Sequence, residues 1–194
     1  QLEGGDPGTI PKIGNGSYWH SIPADINGDG DIEIINHFWN FFGFYSINPT
    51  GTDTYEYPDT SQDDYYYEFT TPDAVAYMGI QAADVDGDGS DEIAGIQYSA
   101  ASDEDYDLFL LDFASTDDEL YSWTPDKFAK IAENAWETAG VTGGSFWGVG
   151  AADLNGNGRD ELLLGGSNGY NIVAVEYNGT GDVLDMANYT TSVV

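Results

Sequence analysis

The chain has 194 residues, 41% of them hydrophobic and 14% aromatic, enough for one domain with a core. Its 35 acids against 4 bases give a formal charge of -31, which repels nucleic-acid phosphates and anionic lipid and excludes both as direct partners. The absence of cysteine removes thiol catalysis and thiolate metal sites, and no stretch approaches the roughly 20 apolar residues of a membrane span.

Residues 1–14 carry Gly and Pro with little apolar content and read as a linker or arm. The alternative is a strand that completes a sheet elsewhere, anchored by Ile10 and Ile13. The chain starts at Gln1 without a signal-like apolar segment, so a processed chain or an excised fragment is expected.

Residues 15–74 form a first unit. A strand ends near Ala24, an acidic loop follows, and a second strand runs from Ile34 to His37. The aromatic run Phe38 to Ile47 favours a further strand. Asn48-Pro49-Thr50-Gly51 reads as a turn and Thr52 to Tyr57 as a fourth strand. Tyr65-Tyr66-Tyr67 is either a ligand-stacking surface or packing on the sheet edge.

Residues 75–123 repeat the layout: strand, acidic loop, strand Ile93 to Ile96, strand Leu108 to Phe113, turn, strand Leu120 to Trp123. Residues 124–142 hold an inserted helix, Pro125 to Ala139. Thr124 suits the N-cap, Pro125 the first position and Asp126 the N-terminal dipole. Phe128, Ile131, Ala132, Ala135 and Ala139 share one helical face, and Gly140 stops it. Residues 143–194 form the third unit, with strands through Phe146, Leu162 to Leu164, Asn171 to Tyr177 and Asp182 to Tyr189.

The acidic loop is the common element. Its copies are Asp25-Ile26-Asn27-Gly28-Asp29-Gly30-Asp31-Ile32-Glu33, Asp84-Val85-Asp86-Gly87-Asp88-Gly89-Ser90-Asp91-Glu92 and Asp153-Leu154-Asn155-Gly156-Asn157-Gly158-Arg159-Asp160-Glu161. The leading Asp residues are 59 and then 69 positions apart, as in a repeat architecture. Oxygen side chains fall at positions 1, 3, 5 and 9 and glycine at 4 and 6 in every copy. Side chains at alternate positions of a tight loop converge on one point. That suits a hard cation such as Ca²⁺, which takes about 6–8 oxygen ligands. Position 7 (Asp31, Ser90, Arg159) varies, as expected where only its carbonyl is used. The glycines permit the positive φ that closes the loop.

The flanks repeat too. An aromatic (Tyr18, Tyr77, Phe146) stands seven residues before each leading Asp, an alanine (Ala24, Ala83, Ala152) precedes it, and an aliphatic (Ile34, Ile93, Leu162) follows each Glu. A glycine-rich acidic turn without metal explains one copy, but not three with the same oxygens and flanks. An EF-hand needs an acid at position 12 and flanking helices. Position 12 here is Asn36, Gly95 and Leu164, and the flanks are strand-like. Dockerin modules fail for the same reason. The third loop has charge only at Asp153 and Glu161 among its ligand positions, so a lower affinity is expected there.

The third unit, Phe146-Trp147-Gly148 through Ala152-Asp153-Leu154-Asn155-Gly156-Asn157-Gly158-Arg159-Asp160-Glu161 to Gly165-Gly166, resembles an FG-GAP (VCBS-type) repeat. The other copies match less fully, with Tyr18-Trp19-His20 and Tyr77-Met78-Gly79 in the Phe-Gly segment. The resemblance implies an all-β fold of three four-stranded propeller blades, part of a larger propeller or completed by an oligomer. It implies up to three Ca²⁺ ions. Their ligands would be Asp25, Asn27, Asp29, the Asp31 carbonyl and Glu33; Asp84, Asp86, Asp88, the Ser90 carbonyl and Glu92; and Asp153, Asn155, Asn157, the Arg159 carbonyl and Glu161. Closed propellers have about 4–8 blades, so three leave open strand edges that invite another subunit.

Three functions follow as expectations. The first is a secreted, non-catalytic, calcium-stabilised binding or scaffold module with a protein or carbohydrate ligand. The second is a self-assembling subunit of a surface filament. The third is a polysaccharide-acting enzyme. For the third, His20 and His37 are the only histidines, and His20 replaces a glycine of the other copies, which favours local packing. Acids are too many to single out a glycosidase pair. The acceptors Asn15, Asn178 and Asn188 are compatible with a glycosylated, extracellular surface.

Overall fold

The computed structural model describes residues 2–3, 18–38, 43–56, 67–68, 75–99, 106–112, 128–141, 146–166 and 171–194. These are the described residues below. They form three antiparallel four-stranded sheets in series with almost no helix. The first runs β2 (Tyr18–Ala24), β3 (Glu33–Phe38), β4 (Gly43–Gly51), β5 (Thr54–Glu56). Two short strands extend it: β1 (Leu2–Glu3) pairs in parallel with β5, and β6 (Tyr67–Glu68) pairs with the start of β4. The second runs β7 (Val75–Ala83), β8 (Glu92–Ser99), β9 (Tyr106–Leu111), β10 (Phe128–Ala132). The third runs β11 (Phe146–Ala152), β12 (Glu161–Gly166), β13 (Ile172–Tyr177), β14 (Tyr189–Val193).

Each acidic loop joins the first two strands of its sheet. The register is the same in all three: Ala24 opposes Glu33, Ala83 opposes Glu92, and Ala152 opposes Glu161. The flanking aromatics mark a second shared feature. The ladder slips between Tyr18 and His20, between Tyr77 and Ile80, and between Phe146 and Gly148. Such a bulge bends the strand and increases its twist.

The sheets pack face to face. Ile22, Ala24, Ile26 and Ile35 of the first sheet meet Ile80, Ile93 and Leu111 of the second. On its other face the second sheet presents Ala94, Ile96, Leu108, Leu110 and Ile131 to Leu162, Leu164, Val173 and Val175 of the third. Covered on both faces, β8 is buried from Glu92 to Ile96 without alternation. Burying one such aliphatic contributes about 1.5–3 kcal/mol.

Four expectations are corrected. The inserted helix is not there: Phe128–Ala132 is strand β10, and only Ala135–Thr138 is helical (α1). The edge of β9 offers unpaired amides and carbonyls that a helix cannot satisfy, and β10 pairs with it. Phe128 then stacks on Phe109 at 5.0 Å, and Lys130 pairs with Asp107 at 3.3 Å. The fourth strand of the second sheet is therefore β10. The strand expected at Leu120 to Trp123 lies outside the described residues. Residues 48–51 are strand, with the turn at Thr52-Asp53, where Asp53 takes φ 57. Pro49 is tolerated because the ladder to β3 has already ended at Ile47. The last strand begins only at Tyr189; before it, residues 182–188 form turns and a 3₁₀ segment. Of the opening residues, Leu2 and Glu3 pair with Tyr55 and Glu56. Ile10, Ile13, Asn15, Tyr65 and Tyr66 lie outside the described residues.

Candidate metal centre

All three loops are built by one chain of side-chain-to-backbone hydrogen bonds. The position-5 amide donates to the position-3 side chain: Asp29 to Asn27 at 3.1 Å, Asp88 to Asp86 at 3.0 Å, Asn157 to Asn155 at 3.0 Å. The position-7 amide donates to position 5 in turn, at 2.8 Å each: Asp31 to Asp29, Ser90 to Asp88, Arg159 to Asn157. The leading Asp accepts from the position-6 glycine: Gly30 to Asp25 at 2.9 Å, Gly89 to Asp84 at 3.2 Å, Gly158 to Asp153 at 2.9 Å. Aspartate and asparagine hold such turns equally well, because both offer an oxygen to an amide two residues on. The glycines at positions 4 and 6 all take φ between 69° and 95°, where a Cβ is strained.

The closing Glu lies beneath the loop, not at its rim. Glu33, Glu92 and Glu161 are buried. Each accepts the position-2 amide: Ile26 at 3.1 Å, Val85 at 2.8 Å, Leu154 at 2.6 Å. One carboxylate oxygen is thereby tied to the backbone.

The side chains converge most fully in the second loop. Asp84, Asp86 and Asp88 each bring a carboxylate oxygen within 4.8 Å of the others, the one such acid trio among the described residues. Burial pushes the Glu92 carboxyl up to about 9, with the Asp86 and Asp88 charges adding to it. Burial likewise raises Asp86, with Asp88 repelling it further. In the first loop burial raises Glu33 to about 7, reinforced by Asp29 and Asp25. These groups cannot all ionise easily without a cation, and a divalent ion with oxygen ligands relieves that repulsion. Three carboxylates within reach of one point, with Glu92 below, fit a hard cation.

The third loop solves the problem differently. Asn155 Nδ2 donates to Glu161 Oε1 at 2.6 Å and to Glu176 Oε1 at 2.9 Å. An amide thus sits between two carboxylates. Asp153 is exposed, and amide donors led by Gly158 hold its carboxyl below the usual range. Arg159, expected to offer only its carbonyl, also makes contacts through its side chain. Its side chain crosses to the second loop, where a Cβ on Gly87 would lie 3.0 Å from its Cγ, and its guanidinium covers Gly179. From there its charge opposes the rise at Asp86.

All fifteen expected ligand residues lie in these loops. Sequence reasoning missed Glu176, which arrives from β13, and the position-8 acids Asp91 and Asp160, which face the neighbouring loop. The legible signal was that position 8 is acidic in two copies of three. Elsewhere, His20 is exposed on β2 and opposes His37 across the ladder. Asn178 is exposed in a turn, whereas Asn188 is tied to the Asp182 carbonyl at 2.9 Å. A groove of about 550 Å³ between β10–α1 and β14 is lined by Ile131, Glu133, Thr138, Met186, Tyr189 and Thr191 among others. No helix among the described residues is long and apolar enough to cross a membrane. No protein-family profile matches the chain, and no curated protein matches it significantly.

Proposed function

We propose that the chain is a calcium-stabilised, non-catalytic binding or scaffold module that works outside the cell, built from three FG-GAP-type repeats of propeller-blade character. The observation that carries this reading is the convergence of Asp84, Asp86 and Asp88 on one point above a buried Glu92. Those four groups would hold the ion in the second loop. Asp25, Asn27, Asp29 and Glu33 would do so in the first, and Asp153, Asn155, Asn157 and Glu161 more weakly in the third. The ion supplies positive charge at a hairpin that otherwise repels itself, so its binding free energy becomes folding free energy. Three ions would offset only 6 of the 31 net negative charges, leaving an acidic surface suited to cationic patches on a protein ligand or to a carbohydrate. Calcium outside the cell is abundant enough to fill loops of even the weaker affinity classes.

Calorimetric titration of the chelator-stripped chain tests the reading. Calcium at about 100 times the dissociation constant should add about 2.7 kcal/mol of stability per site. A melting curve that is the same in excess chelator and in calcium would sink it.

A further inference from the structure

The three loops also stack on one another, and the stack is open at one end. The Asp91 amide donates to the Asp25 carbonyl at 2.7 Å, and the Asp160 amide to the Asp84 carbonyl at 2.8 Å. In return the Asp25 amide donates to the Asp91 carboxylate at 2.9 Å. Position 7 of each later loop lands on the position-4 glycine of the one before. A Cβ on Gly28 would lie 2.9 Å from Ser90 Oγ, and one on Gly87 would lie 3.0 Å from Arg159 Cγ. Apolar positions behind the loop are sealed by the next sheet. Ala24 and Ala83 are 1% exposed, and Ile26, Val85, Ile35 and Ala94 are 0% exposed.

The third repeat has the same positions without the cover. Leu154, the counterpart of Ile26 and Val85, is 51% exposed. Ala152 and Leu163 are only half-buried. A Cβ on Gly156 would meet nothing within 4 Å.

We infer that this face of the third sheet, centred on Ala152, Leu154 and Leu163, is an interaction surface for a further four-stranded sheet that carries the same loop with an acid at position 8. The face continues the interface that joins the first sheet to the second and the second to the third. Its occupant must offer what Asp91 offers Asp25: an amide for the Asp153 carbonyl and a carboxylate for its amide. The first sheet of a second copy does not qualify. Position 8 of its loop is Ile32, which is 43% exposed. Its outer face carries Ser21 hydrogen-bonded to Asn36, where the second sheet pairs Ile80 with Gly95 and the third pairs Val149 with Leu164. A net charge of -31 on each copy adds repulsion. The interface runs through backbone and carboxylate, not through an ion, so its failure leaves the calcium reading standing.

The test extends the chain after Val194 by a flexible linker and a second copy of residues 75–141. Hydrogen exchange at the Asp153 amide and through residues 152–163 should slow at least about tenfold relative to the unextended chain. The appended copy should acquire protected strands. Asp91→Ile in that copy, mimicking Ile32, should remove most of the protection at Asp153. Unchanged exchange at 152–163 overturns the proposal. So does an appended copy that stays unprotected, since the open face then fails to template it. Sedimentation of the unextended chain supplies the remaining check. A monomer supports the proposal; a concentration-dependent oligomer abolished by Leu154→Asp assigns the face to a second copy and overturns it.

Discussion

The second and third loops share a backbone and part company in charge. Asp86 and Asp88 in one stand where Asn155 and Asn157 stand in the other, yet the amide-to-oxygen turns have nearly the same lengths. The loop's shape therefore depends on oxygens that accept amides, which both residue types supply. The charge that could hold a cation comes from the carboxylates, and Asp84, Asp86 and Asp88 bring three of them together. The two loops differ in cover as well: Val85 is sealed beneath a following sheet and Leu154 is not.

The largest test of that difference is at position 2. Val85→Asp buries an unpaired charge and should cost more than about 4 kcal/mol in urea unfolding, or prevent folding. Leu154→Asp should stay within about 0.5 kcal/mol of the parent. Equal costs would erase the distinction between covered and open ends.

Next comes exchange of the charge pattern. Asp86→Asn with Asp88→Asn should lower calcium affinity at the second loop by about 100-fold in titration calorimetry, because ligand charge sets affinity in such loops. Asn155→Asp with Asn157→Asp should strengthen the third loop. Glu176 faces Asn155, so adding Glu176→Gln should moderate the new repulsion in chelator.

The pH dependence separates the states. Glu33 at about 7 and Glu92 at about 9 both lie above the ordinary 4.5, so the folded chain without metal binds protons more tightly than the unfolded chain. Their contribution to stability is fully present below about pH 4.5 and is lost as pH rises through 7 for Glu33 and 9 for Glu92. In chelator the melting temperature should fall across that window. Glu92→Gln should flatten the part between 7 and 9. With calcium bound, the ionised forms are favoured and the slope should disappear or reverse.

The smallest effect isolates loop stacking. Gly87 and Gly156 take similar φ, 83° and 77°. Alanine carries the same left-handed strain at both. Only at Gly87 does the new Cβ meet the following loop, 3.0 Å from Arg159 Cγ and 3.2 Å from the Gly158 carbonyl. Gly87→Ala should cost about 1 kcal/mol more than Gly156→Ala.

The misreadings have a common form. Phe128, Ile131, Ala132, Ala135 and Ala139 satisfy a helical spacing, but Phe128 to Ala132 form strand β10. Local pattern does not say that β9 has a free edge waiting, and pairing with that edge outweighed weak helix propensity. The strand expected over 182–189 failed similarly. Asp182 and Asp185 turn the backbone with their own carboxylates, through Leu184 at 2.9 Å and Ala187 at 3.0 Å, before β14 pairs with β13. Asp91 and Asp160 went unassigned because each bonds to the preceding loop, more than sixty residues away for the Asp91–Asp25 contact.

The loops themselves were readable from residue order, because every bond that shapes them closes within nine residues: Asx turns, left-handed glycines and a Glu returning to the position-2 amide. The alternation of loop and strand follows from the same local chemistry. Tertiary packing decided the rest. It set which apolar faces are sealed, how far desolvation lifts Glu33 and Glu92, and where each loop leans on the next. Those quantities depend on what stands on the other side of a sheet, and burial and dielectric are properties of an environment that no single stretch of chain carries with it.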